Sequence, residues 1–152
     1  MISFGGSDNY EGTFHALKLL KNLKIKKKIL VIIGKYFDEN YKKKILLFCK
    51  KNQFNYLFFS KNFSDLLNKS KLLITNSGLT KYEGFLHSLP VVIFSDNKES
   101  QKIDKLFIHK TNQFHFSYIR NIKKDTIKLR NIFDKKINIK KPLEQNILKY
   151  NI

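Results

Sequence analysis

The fold is decided by residues 72–94, LLITNSGLTKYEGFLHSLPVVIF. The first apolar run predicts a strand that ends at Thr75, and a glycine turn then leads into a helix predicted from Leu79 to His87. The second apolar run, Pro90 to Phe94, predicts another buried strand, since proline is allowed at the first position of a strand. A strand, a helix and a strand in this order are typical of one βαβ unit of a parallel sheet.

The same alternation continues on both sides of this unit. We predict further strands at 2–4, 29–34, 56–59 and 115–119, and further helices at 10–23, 38–51, 63–68, 98–110 and 126–133. The run Ile29 to Gly34 is continuous and β-branched, as expected of a strand buried on both faces. Strict alternation of strand and helix predicts an α/β fold, a Rossmann-like doubly wound parallel sheet with right-handed crossovers.

The length of 152 residues suits one domain with a sizeable core. We assign residues 1–134 to this domain and 135–152 to a lysine-rich C-terminal tail of uncertain structure. No apolar run approaches the roughly 18 residues of a membrane-spanning helix, and no charged segment followed by an apolar one opens the chain, so we expect neither a span nor a signal peptide. The lone cysteine, Cys49, lies in an apolar run that predicts a buried thiol, and a cytoplasmic location is the default.

The formal net charge of +18 is at first sight a nucleic-acid signal. Only Arg120 and Arg130 among the 30 basic residues are arginine, however, and the lysines are spread along the whole chain. Because arginine leads in base readout and bidentate phosphate contacts, we do not expect specific binding to nucleic acid. Weak, salt-sensitive contact with polyanions or with a peripheral membrane surface is expected.

No metal, cofactor or catalytic residue is predicted. The histidines show neither an H-x-x-x-H nor a Cys/His ligand spacing, and there is no G-x-S-x-G nucleophile motif. They are His15, His87, His109 and His115. His15 and His87 fall on predicted helices, where a structural role is the commoner one.

A binding site is predicted at one edge of the sheet. In open parallel sheets, ligands bind outside the carboxyl ends of the strands, near a reversal of strand order. Four suggestive segments follow predicted strands: 5–8 (GGSD), 60–63 (SKNF), 76–80 (NSGLT) and 95–97 (SDN). Their shared location favours a common site.

Two interpretations of the helix after Gly78 stay open. A helix start with free N–H groups suits a phosphate, and Glu83, one turn further on, could accept hydrogen bonds from the hydroxyls of a sugar. The spacing of Thr80 and Glu83 also fits a capping box, in which nothing binds. The same choice arises after the first strand, where Asp8-x-x-Glu11 resembles a capping box and Ser7 or Asp8 could cap the helix.

Three segments resemble a known family in their order and spacing: ISFGGSD at 2–8, NSGLTKYE at 76–83 and Leu89-Pro90. They are similar to the C-terminal half of the PseG/SpsG-like family, over about residues 1–110. This family includes the UDP-sugar hydrolase of pseudaminic acid biosynthesis and spore-coat polysaccharide proteins. It is related to the MurG-type GT-B glycosyltransferases, so the resemblance implies a domain equivalent to the C-terminal, donor-binding domain of a GT-B fold.

The resemblance also implies substrate-binding residues, which are Gly6, Ser7, Phe63, Ser77, Gly78, Leu79, Thr80, Glu83, Asn97 and Gln101. The start of the helix after Gly78 would hold the diphosphate, and Glu83 the ribose hydroxyls. Phe63 would lie against the base, and Gly6 and Ser7 would face the phosphates from the other side. Asn97 and Gln101 are the candidates for contact with the sugar.

The resemblance predicts the nucleotide-sugar half of a glycosyltransferase or UDP-sugar hydrolase in surface polysaccharide or nonulosonic acid biosynthesis. The chain has no G-x-G-H-x-x-R-like motif and begins at Met1 on the first strand, so we expect half an active site. A truncated gene, a split gene and a subunit of a two-chain enzyme are three explanations, and the last two require a partner chain. The rival hypotheses are a non-catalytic interaction subunit or decayed paralogue, and a lysine-driven binder of polyanions or membrane surfaces.

Overall fold

Six strands and six helices alternate along residues 1–25, 28–59, 61–111 and 113–134, which are the residues that the computed structural model describes. The elements are β1 (Ile2–Ser3), α1 (Gly12–Asn22), β2 (Leu30–Ile33), α2 (Glu39–Lys51), β3 (Asn55–Phe58), α3 (Phe63–Asn68), β4 (Leu73–Asn76), α4 (Thr80–Leu86), β5 (Val91–Phe94), α5 (Lys98–Thr111), β6 (Phe114–Phe116) and α6 (Ile122–Asp134). The proposed tail, 135–152, lies outside the described residues.

The strands form one parallel sheet in the order β3-β2-β1-β4-β5-β6. The predicted α/β, Rossmann-like doubly wound fold is therefore confirmed. The direction of winding reverses between β1 and β4, which pair through Ile2 and Ile74. In this architecture the loops after those two strands border a crevice, where ligands are usually bound.

The two faces of the sheet carry unequal cores. On one face, which we call the thick-core face, α1, α2 and α6 cover a large apolar cluster that includes Leu17, Ile45 and Leu129. On the other, the thin-core face, the small buried cluster consists of Leu67, Leu73, Leu89, Val91 and Ile93. Helices α3, α4 and α5 flank that cluster. This coverage of both faces explains why the sequence of a strand such as β2 is continuously apolar, since its side chains are removed from water on either side of the sheet.

Helix α4 lies unusually close to the sheet. A Cβ atom at Gly84 would come within 2.4 Å of Leu73 Cδ2 and within 3.1 Å of Val91 Cγ2. A side chain at position 84 would therefore have to displace Leu73, and the close packing holds the middle of α4 against the first residues of β4 and β5.

The ends of two late elements differ from the prediction. Helix α6 begins at Ile122, not Thr126, because Asn121 Oδ1 accepts the Lys124 N–H at 3.0 Å and Asp125 Oδ2 accepts the Asn121 N–H at 3.1 Å. Strand β6 begins at Phe114 and ends at Phe116. The predicted extension to residue 119 is wrong, because the Ser117 hydroxyl accepts the Ile119 N–H and starts a turn.

Candidate functional site

The loops after β1, β4 and β5 meet at the carboxyl edge of the sheet, since β4 pairs with both β1 and β5. Nine of the ten predicted binding residues lie in these loops or in helices α4 and α5, which directly follow two of them. The tenth, Phe63, begins α3 at the same edge. The fold thus brings the predicted segments to one region, although their side chains differ greatly in what they contact.

In the turn after β1, the buried carboxylate of Asp8 closes the start of α1. Its two oxygens accept the N–H groups of Gly12 and Thr13, each at 2.8 Å, and Oδ2 also accepts the Tyr41 hydroxyl at 2.8 Å. Burial raises the pKa of Asp8, while these hydrogen bonds oppose the shift. The two amides that a phosphate would use at α1 are therefore already occupied.

The capping prediction for α1 is confirmed for Asp8 and wrong for the capping box. Glu11 sits at the N-cap position with a φ of 51° and makes no side-chain cap. Its carboxylate instead pairs with Lys44 at 2.8 Å. Gly6 and Ser7 are exposed at this turn, and the Gly6 carbonyl accepts the Tyr36 N–H at 2.9 Å.

At the start of α4 the capping box is not formed. Leu79 occupies the N-cap position and no side chain caps the helix. Asn76 Oδ1 accepts the Gly78 N–H at 3.2 Å. Among the described residues, the N–H groups of Leu79, Thr80 and Lys81 have no hydrogen-bond acceptor. These donors are unpaired, as the phosphate interpretation requires, and of the three residues Leu79 is exposed whereas Thr80 and Lys81 are buried.

The Glu83 side chain is exposed and has no hydrogen-bond or ion-pair partner within the described part of the chain. One turn later on the same side of α4, the His87 ring contacts Ser64 at 3.2 Å and Asn68 at 2.7 Å, both on α3. Residues four apart share a helix face, so Glu83 also lies on the side that faces α3. Phe63, half-buried against the thin-core cluster, begins that neighbouring helix.

A buried ion pair holds the loops after β4 and β5 together. Lys81 Nζ, on a side chain only 2% exposed, donates to Asp104 Oδ1 at 2.7 Å and to the Ser77 carbonyl at 2.9 Å. Asp104 Oδ2 accepts the hydroxyls of Ser77 and Ser95, each at 2.6 Å. One carboxylate from α5 therefore fixes the loop before α4 and the end of β5.

The predicted sugar-contacting residues are engaged within the protein. Asn97 Oδ1 accepts the Ser100 N–H at 2.8 Å, and the Asn97 N–H is donated to Ser100 Oγ at 3.0 Å, so the pair caps α5. Gln101 Oε1 accepts the Ser117 hydroxyl at 2.8 Å. Both side chains are only half-buried, so a ligand would compete with these bonds to reach them.

The structure adds Asp96 and Arg120 to this edge. Arg120 Nη1 donates to the Ser117 carbonyl at 2.8 Å, and the guanidinium lies 5.2 Å above the Phe94 ring. Nη2 is buried and has no acceptor among the described residues. Burial raises the pKa of Asp96, and the Arg120 charge opposes that rise. A buried guanidinium N–H without an acceptor is a position that a ligand oxygen can satisfy.

Several of these residues were missed by the sequence analysis. Lys81 lies inside the quoted motif, but its burial in α4, together with Thr80 and Gly84, is seen only in the structure. Asp104 is 23 residues further along the chain, with no local pattern that links it to Lys81. Arg120 is one of two arginines in the chain, and that rarity is the one signal that could have singled it out.

Three of the four histidines have contacts within the protein, and a structural role was predicted for two of these three. His15 pairs with Asp125 at 2.8 Å and joins α1 to α6, and His87 joins α4 to α3. His115 Nε2 lies 2.8 Å from Ser95 Oγ, and burial lowers the His115 pKa. In the part of the chain that the structure describes, no group of three or more His, Cys, Asp or Glu side chains is arranged to hold a metal ion.

No protein-family model, curated protein or solved structure matches this chain. Within the described ranges, no helix is long and apolar enough to cross a membrane.

Proposed function

We propose that this chain binds a nucleoside-diphosphate sugar, with UDP as the nucleotide. It would act in the cytoplasm as the donor-binding half of a glycosyltransferase or nucleotide-sugar hydrolase of surface polysaccharide or nonulosonic acid biosynthesis. The observation that carries the proposal is the combination of free N–H groups at the start of α4 with the unpartnered Glu83 one turn later, beside the strand-order reversal.

The diphosphate would be held from the α4 side. The N–H groups of Leu79, Thr80 and Lys81 are free, and Gly78 leaves room for a close approach of the ligand. The α1 side offers no such amides, because Asp8 has taken them. Gly6 and Ser7 would contribute exposed backbone and a hydroxyl at the opposite rim.

The nucleoside would lie between α3 and α4. Glu83 is exposed and lies on the side of α4 that faces α3, so its carboxylate oxygens can accept two hydrogen bonds from vicinal ribose hydroxyls. Phe63 begins α3 and presents part of its ring at the same edge, where a base could pack. At this edge of the sheet, Asp96 and Arg120 would lie on the β5 side, nearer to the sugar and the leaving phosphate.

The mechanism on this chain would be donor positioning. Preorganised amide donors stabilise the negative charge that builds on the diphosphate as the glycosidic bond to it breaks. The hydrogen bonds of Asp104 to Ser77, Lys81 and Ser95, which we call the Asp104 clamp, preorganise the loop that carries those donors. The acceptor-side and catalytic groups would come from a second domain or a partner chain, and no residue described here is assigned to bond cleavage.

The first test is calorimetric titration with UDP at moderate salt, with CMP as the comparison. We expect saturable binding that prefers UDP. Replacing Glu83 with alanine removes charge-assisted hydrogen bonds worth about 1.5–3 kcal/mol and should weaken UDP binding tenfold or more.

Glu99→Ala is the matched control, since Glu99 is also exposed and lies in the first turn of α5. It should leave the affinity for UDP unchanged. Equal affinities for Glu83→Ala and the parent protein, with both folded, would remove the ribose role. No binding of UDP by the folded parent would remove the proposed function for this chain on its own.

A further inference from the structure

The outer surface of α4 and α5 exposes large apolar side chains, namely Tyr82, Leu86, Ile103 and Leu106. Leu86 and Leu106 are 64% and 66% exposed. The Phe107 ring packs against Tyr82 at 5.1 Å and against Phe85 at 5.7 Å, so the two helices lie side by side. These four residues, two on each helix, are called the α4–α5 face.

Exposed lysines of α5 border this face. The exposed lysines of α5 are Lys98, Lys102, Lys105 and Lys110, and Glu99 is its one exposed acid. Lys102 and Lys110 lie one helical turn before and after Leu106, so their amino groups flank the leucine. The other acid of α5, Asp104, is buried and paired with Lys81, and it does not offset the exposed positive charge.

The composition of the face favours a lipid surface over a protein. Protein interfaces are depleted in lysine, and their strongest anchors are Trp, Tyr and Arg rather than Leu. Leucine and isoleucine among lysines are instead typical of amphipathic surfaces that bind anionic bilayers. A second copy of this chain is disfavoured, because each copy carries a net charge of +18.

We propose that the α4–α5 face binds the surface of an anionic phospholipid bilayer. Leu86, Ile103 and Leu106 enter the interface between headgroups and acyl chains, and the lysines of α5 contact the lipid phosphates. The stems of these lysines can lie along the apolar surface while their amino groups stay in water. The proposal does not depend on nucleotide binding, and its test uses no nucleotide.

A tryptophan reporter tests which face meets the lipid, because the chain has no tryptophan of its own. Leu106→Trp places the reporter in the α4–α5 face. Leu47→Trp places it at a 69% exposed leucine of α2, on the thick-core face. With phosphatidylcholine vesicles that contain phosphatidylglycerol, at physiological salt, we expect a blue shift of emission for Leu106→Trp alone. A shift for Leu47→Trp alone, or for neither, would overturn the proposal.

A second pair of variants measures the apolar contribution. Leu86→Gln with Leu106→Gln should lower the vesicle partition coefficient about tenfold, because two leucines no longer leave water. Leu47→Gln with Ile127→Gln, at comparably exposed positions of α2 and α6, should lower it by less than about twofold. Circular dichroism checks the fold of both. Equal losses in the two double variants would mean that diffuse lysine charge drives binding, and the face would have no special role.

Discussion

Among the described residues, nineteen buried side chains form the apolar cluster of the thick-core face, whereas five form the cluster of the thin-core face. The thin-core face replaces part of the missing apolar core with the Lys81–Asp104 ion pair and its serine partners. It also leaves the leucines of α4 and α5 in contact with water. The comparison indicates that apolar burial on the thick-core face supplies stability, whereas buried polar groups on the thin-core face position the loops after β4 and β5.

The largest expected effect on stability comes from removing the Asp104 clamp on the thin-core face. Asp104→Ala leaves the buried Lys81 ammonium without its counter-charge, so the free energy of unfolding should fall by about 3–5 kcal/mol. Urea denaturation measures this loss. Asp65→Ala, at an exposed acid of α3 on the same face, is the control and should change stability by less than about 0.5 kcal/mol.

A double variant separates charge from packing at the same place. Lys81→Met with Asp104→Leu removes both charges and should recover much of the stability lost in Asp104→Ala. If the double variant were as unstable as the single one, the hydrogen bonds to Ser77 and Ser95, rather than the uncompensated lysine, would dominate.

The next effect compares the two cores directly. Leu17→Ala in the large cluster should cost about 3 kcal/mol, because its closely packed neighbours cannot collapse into the cavity. Leu67→Ala in the small cluster should cost about 2 kcal/mol, since the half-buried Phe63 and Phe107 can shift toward the gap. Both losses are measured in urea. A larger loss at Leu67 than at Leu17 would reverse the proposed division between the faces.

The smallest effect concerns a reporter in the thick-core face. Burial raises the pKa of the Cys49 thiol from 9.0 to about 11. Because the pKa of the thiol is higher in the folded than in the unfolded state, its contribution to the free energy of unfolding is fully present below pH 9. This contribution is lost as the pH rises from 9 to 11. At pH 8 the native thiol should therefore react with a disulfide reagent only through opening of the thick-core face. Leu17→Ala should speed that reaction more than Leu67→Ala does, and equal rates would contradict this.

The sequence predicted elements well wherever periodicity carried the information. Helix α3 was predicted at its observed bounds, and the α/β class follows from alternation alone. The side-chain contacts of the site were less predictable. Thr80 and Glu83 have capping-box spacing, yet Thr80 is buried and Glu83 points into solvent. Spacing gives the separation of two residues along a helix, but it does not say which of them faces the sheet.

Long-range polar contacts were not predictable from local pattern. The Asp104 carboxylate gathers donors from loops that precede it by 9 to 27 residues. Ser7 or Asp8 was the predicted cap of α1, but the position of Asp8, four and five residues before the amides that it binds, depends on left-handed backbone at Asp8 and Glu11. The Asp104 contacts join segments that are distant along the chain, which a local pattern does not relate to one another.

The Asp8 carboxylate acts as a tethered counterion for α1. A bound phosphate at a helix end leaves when its concentration falls, and the helix end then loses its partner. Asp8 cannot be diluted in this way, so the turn after β1 should keep one structure whether or not a ligand is present. Any adjustment to an arriving nucleotide would then be confined to the segments after β4 and β5. An Asp8→Gly variant would free those amides, so that the start of α1 would offer unpaired donors as the start of α4 does.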